Sequence, residues 1–74
     1  MTRPEILHAL QADIDLLVAA DETSVLAALP GWDSLAILLV VSHCEHVHRR
    51  EVSGARVRAC RTVGDLLDLI QSLS

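Results

Sequence analysis

The sequence predicts an all-α fold, a small bundle of three main helices with a short helix or turn before the last, on three observations. Apolar residues recur at three- and four-residue steps in three separate stretches, the period of a helix that buries one face. Each stretch follows a residue that caps helices well, Thr2, Asp33 or Thr62. No stretch alternates apolar and polar residues as a half-buried strand does. Residues 1–74 are expected to form a single domain, near the size at which one apolar core supplies only ~3–5 kcal/mol.

The first helix starts at "TRPE", where Thr2 and Glu5 have the spacing of a capping box and Pro4 sits in a first turn whose amides are unpaired in any case. Ile6, Leu7, Leu10, Ile14 and Leu17 give it a buried stripe, and the pattern carries it to about Ala19. From Ala20 to Trp32, Asp, Thr, Ser and a Pro-Gly pair predict a long loop, anchored by Val25, Leu26 and Leu29. Asp33 is the N-cap of the second helix, with Trp32 placed as a hydrophobic staple against Ile37, and that helix reaches His48 or Arg49. "REVSGARVRAC" reads as a connection with at most one or two helical turns, Val52 and Val57 as its apolar contacts and Gly54 as its breaker. Thr62 caps the last helix, where Val63, Leu66, Leu67, Ile70 and Leu73 keep helical spacing and Asp65 sits in the first turn, as the helix dipole favours.

Composition narrows the function. Apolar residues make up 51% of the chain, aromatic ones 1%, and Trp32 is the single aromatic side chain, so stacking on bases is not expected. The net charge is −4, divided as −5 over residues 1–41 (six acids, one Arg) and +1 over residues 42–74 (four acids, five Arg). Arg56, Arg58 and Arg61 cluster, yet no basic face backs them, and a nucleic-acid partner is not expected. The apolar run Leu35 to Val41 is too short to cross a bilayer and the first residues lack a signal peptide's apolar core, so the expected compartment is the cytoplasm, with no membrane association. Cys44 and Cys60 are too few for a disulfide framework and read as small core residues.

One hydroxyl stands out. In "GWDSLAIL", Ser34 falls at the first position of the second helix, between its cap Asp33 and Leu35, and "RTVGDLLDLI" follows after a helix and a connector. The two segments together, at this separation and in a chain of this length, resemble the acyl carrier proteins. In that family an Asp-Ser-Leu at the start of the second helix carries 4′-phosphopantetheine on its serine, and a Thr-Val-Gly-Asp-Leu-type start of the last helix closes the bundle. The resemblance implies that Ser34 is the attachment point, flanked by Asp33 and Leu35, and that the arm is donated by coenzyme A. It further implies a protein that is a substrate and not an enzyme, holding acyl or aminoacyl intermediates as thioesters. The implied partners are a phosphopantetheinyl transferase, an adenylating ligase or acyltransferase, and condensing or tailoring enzymes. A phosphodiester on Ser34 is expected to meet the unpaired amides and positive dipole end of the second helix. A Gly-Asp-Ser-Leu hydrolase block differs by Trp32 standing between Gly31 and Asp33, and so short a chain leaves little to build a base, an oxyanion hole and a cleft.

The second helix departs from the acidic one usual in fatty-acid carriers. Its outward positions are expected to hold Ile37, Leu39 and Val40, then His43, His46 and His48. Trp32, Ile37, Leu39 and Val40 are therefore the expected partner-binding residues, which points to a dedicated polyketide- or nonribosomal-type or other specialised acyl pathway. The alternative is an interaction module of carrier shape that pairs through this apolar helix and carries no arm. "HCEHVHRR" holds metal-ligating residue types, but on a helix His43 and His46 share one face while Cys44 and His48 share another, so no metal site is expected. His48 stands where the family usually has a large apolar residue, often Phe; partly buried and neutral, it is expected to make stability fall in acid.

Overall fold

The computed structural model describes residues 1–73. The described residues form four helices, α1 (Arg3–Asp13), α2 (Ser34–Val47), α3 (Gly54–Arg58) and α4 (Val63–Ser72), with single 3-10 turns at Asp15–Leu17 and Leu26–Ala28. This is the all-α bundle of three main helices plus a short one that the periodicity predicts. α1 packs against both α2 and α4, and α3 packs against α2. Among the described residues no helix is long and apolar enough to cross a membrane.

The caps lie where the sequence puts them. Thr2 Oγ1 accepts from the Glu5 amide at 3.3 Å while Glu5 Oε1 accepts from the Thr2 amide at 2.9 Å, a complete capping box. Thr62 and Asp65 repeat the arrangement at α4, and Ser53 caps α3 by accepting from the Arg56 amide at 3.2 Å. The core is mainly aliphatic, with Ile6 and Leu10 of α1, Val40 and Cys44 of α2, Val57 of α3, and Val63, Leu66, Leu67 and Ile70 of α4 all buried. Leu17 and Leu26 reach the same core from the connections.

Two boundaries differ from the sequence reading. α1 stops at Asp13, six residues early, because Ile14 turns extended (φ −127, ψ 98) between two aspartates, both weak helix formers. The break leaves Ile14, Leu17 and Ala20 all buried, and Gln11 Nε2 donates to the carbonyls of Leu17 (3.2 Å) and Ala20 (3.3 Å), meeting backbone acceptors that a continuous helix would have paired internally. Gly54 is not a breaker but the first residue of α3, where the Ser53 cap outweighs glycine's low propensity.

The long loop is fastened to the start of α4. Val25 and Thr62 form an isolated antiparallel bridge, with Leu26 N–H donating to the Arg61 carbonyl at 2.9 Å and Val63 N–H to the Ser24 carbonyl at 3.0 Å. Gly64 N–H donates to the Glu22 carbonyl at 2.9 Å, so the loop takes up two of the orphan amides of α4. The Arg3 guanidinium adds a clasp across α1, loop and α4, donating to Glu22 at 2.6 Å, to Asp68, to Gln71 at 3.1 Å and to the Gly64 carbonyl at 3.2 Å.

Candidate functional site

The chain reaches Ser34 through a tight turn. Pro30 and Gly31 occupy its centre, Gly31 has φ +87, and Trp32 N–H closes it on the Leu29 carbonyl at 3.1 Å, the arrangement in which a Pro-Gly pair is favoured. Asp33 follows in extended conformation and caps α2, its Oδ1 accepting from Leu35 N–H at 3.0 Å and Ala36 N–H at 3.1 Å. Ser34 is then the first helical residue, and it is exposed. Among the described residues no hydrogen bond engages its hydroxyl. His43, His46 and His48 lie nine or more positions further along, roughly 13 Å of helix at 1.5 Å per residue, so none of them stands beside that oxygen as a base.

The first turn of α2 is less open to an anion than expected. Of its amides, Leu35 and Ala36 are taken by the Asp33 carboxylate and Ile37 by the Asp33 carbonyl at 3.1 Å, which leaves the Ser34 amide. The anticipated row of unpaired donors is therefore absent, because the residue that makes the best cap consumes the donors an anion would use.

Ser34 opens onto a cleft of about 930 Å³. One side is apolar, from Val25 and Ala27 of the loop and Trp32 and Ile37 at the α2 start; the other is the segment from Arg58 to Thr62, between α3 and α4. The loop bridge to Thr62 fixes the two sides relative to each other. Within the cleft, burial and the nearby Asp65 carboxylate push the Cys60 thiol above its ordinary value, which favours the protonated form. Asp65 is itself held low by the backbone N–H groups of Arg61 (2.9 Å) and Thr62 (3.1 Å).

Ser34, Asp33 and Trp32 thus share one site, with Leu35 beside them and 64% exposed. The partner surface needs correction. Leu39 is exposed (42%), but Ile37 (6%) and Val40 (0%) belong to the buried stripe Ala36, Ile37, Val40, His43 and Cys44, the face that α1 and α3 cover. The outward apolar residues are Leu35, Leu38 (62%), Leu39 and Val47. The signal was in the polar residues: Ser42 and His46 mark the outer face, and steps of three and four back from Ser42 reach Leu39, Leu38 and Leu35.

His43, expected outward, is also buried, at 3%. Its Nδ1 lies 2.5 Å from Asp13 Oδ2, which ties α2 to the last residue of α1. His48 is half-buried with its ring edge-on to His43 at 5.3 Å, and the Nε2 atoms of both are buried without a partner. His46 is exposed and donates from Nδ1 to the Ser42 carbonyl at 2.8 Å. Cys44 is fully buried in the core, as its reading as a packing residue requires. Comparison with family models, with curated proteins and with solved structures finds no match to this chain.

Proposed function

We propose that this protein is an acyl or aminoacyl carrier that receives 4′-phosphopantetheine on Ser34 and works in a cytoplasmic biosynthetic pathway. The observation that carries the reading is the exposed Ser34 hydroxyl at the first position of a capped helix, beside an open cleft with no histidine among its lining residues. Such a hydroxyl is reachable by another protein's active site and inert without it, which suits a substrate of a phosphopantetheinyl transferase. The cleft is within the range of small-molecule sites, about 300–1,000 Å³, and its apolar and polar sides suit an amide-containing arm. When bound, the arm supplies a terminal thiol that carries cargo as a thioester. The chain's own part is to hold the serine out, through the Pro30-Gly31 turn and the Asp33 cap. Leu35, Leu38 and Leu39, next to Ser34, form the surface on which loading and condensing or tailoring enzymes would dock.

Incubation with coenzyme A and a broad-specificity transferase, followed by intact-mass measurement, tests this. The folded wild-type chain gains one phosphopantetheine unit and Ser34→Ala gains none. The exposed leucines favour a second reading, an interaction module that carries no arm; an unchanged mass for folded wild-type protein would select it.

A further inference from the structure

We infer that Arg58 and Arg61 are an anion-binding pair that holds the phosphodiester of a Ser34-linked arm; this rests on the carrier reading. The start of α2 does not meet that charge by itself. Two of its amides are consumed by the Asp33 carboxylate, which also sets a negative charge next to the phosphate position. The basic residues among those lining the cleft that Ser34 opens onto are Arg58 and Arg61. Among the described residues neither guanidinium forms an ion pair, the paired guanidinium being that of Arg3. Asp65, the carboxylate nearest in sequence, turns an oxygen to the Arg61 and Thr62 backbone amides.

The backbone under this pair is fixed. The Arg61 carbonyl accepts from Leu26 N–H at 2.9 Å, its N–H is held by Asp65, and Arg58 ends a helix capped by Ser53. Guanidinium groups bind phosphate oxygens through paired N–H donors, a geometry that an ammonium does not reproduce. The charge division of the chain fits the same role: five of the six arginines fall in residues 42–74, and these two border the cleft that opens from the serine.

The test compares unmodified and phosphopantetheinylated protein, with modification verified by mass, using the Arg side-chain Nε–H and the 58–62 amide resonances. Modification is expected to shift the Arg58 and Arg61 Nε–H signals. The shift shrinks as salt rises from 0.1 to 1 M, where the screening length falls from about 10 Å to about 3 Å. Arg58→Gln with Arg61→Gln is expected to sharpen the phosphorus resonance of the arm as it is released, whereas Arg58→Lys with Arg61→Lys restores part of the restraint. Both residues are exposed, and unchanged urea midpoints would verify that the variants fold. Full modification without shifts at these arginines overturns this inference and leaves the carrier reading standing. Shifts that appear only after loading a succinyl thioester, and not a butyryl one, assign the pair to a cargo carboxylate and overturn the phosphodiester assignment. No mass gain removes both.

Discussion

Among single residues, His48 has the clearest consequence for stability. Burial, reinforced by the neighbouring His43, holds its pKa below the ordinary histidine value. A base depressed in this way binds fewer protons folded than unfolded, so stability is intact above the unfolded pKa of about 6.5 and is lost as pH falls through it toward the folded value. The carboxylates held low act elsewhere: Glu5 by the Thr2 amide, Asp21 by the Thr23 hydroxyl and Asp65 by the Arg61 amide keep their contributions above about pH 4 and lose them below it. Urea midpoints are therefore expected to fall between pH 7 and pH 5 in the wild type and to fall less in His48→Phe, which supplies an apolar ring at a half-buried position. Equal slopes in the two proteins would remove His48 as the cause.

At the scale of elements, the start of α4 is the joint that shapes the site. Every amide of its first turn has a partner: Val63 and Gly64 in the loop, Asp65 at Thr62 Oγ1, and Leu66 at the Thr62 carbonyl. Gly64 leaves room there, since a Cβ would lie 3.0 Å from the Glu22 carbonyl that its own N–H engages and the loop would have to give by a few tenths of an ångström. Overpacking of this kind costs about 1–3 kcal/mol, more than the gain of up to about 1 kcal/mol that alanine brings inside a helix. Gly64→Ala is expected to lower stability by about 1 kcal/mol in urea unfolding and to loosen the loop side of the cleft. At Gly54 the added Cβ would meet Ile37 Cγ2 at an ordinary 3.6 Å, so Gly54→Ala is expected to be neutral or stabilising, and the pair separates steric cost from helix propensity.

For the whole molecule, the magnitude that matters is how little stability 74 residues supply. At roughly 0.05–0.15 kcal/mol per residue the total is about 4–11 kcal/mol, and one large-to-small core change costs about 2–5 kcal/mol. Leu66, fully buried in α4, lies in the one core that the described residues form. Leu66→Ala is expected to remove a large share of the total, visible by circular dichroism as a thermal midpoint lowered by at least 8 °C or as loss of the cooperative transition, at about 4–8 °C per kcal/mol for a domain of this size. Retention of the wild-type midpoint would mean that the packing around Leu66 is looser than its burial indicates.

What the sequence by itself determined is what short range fixes: helix class from the apolar period, all three main N-termini from their caps, and Ser34 at the first position of α2, because a capping bond spans only two or three residues. What only the tertiary structure decided is set by partners distant in the chain. α1 and α3 chose which of two apolar faces of α2 to bury and so exposed Leu38 in place of Val40, and Asp13 drew His43 inside. The cleft belongs to this second group, since its two sides are held together by the pairing of Val25 with Thr62, residues whose mutual approach no local pattern encodes.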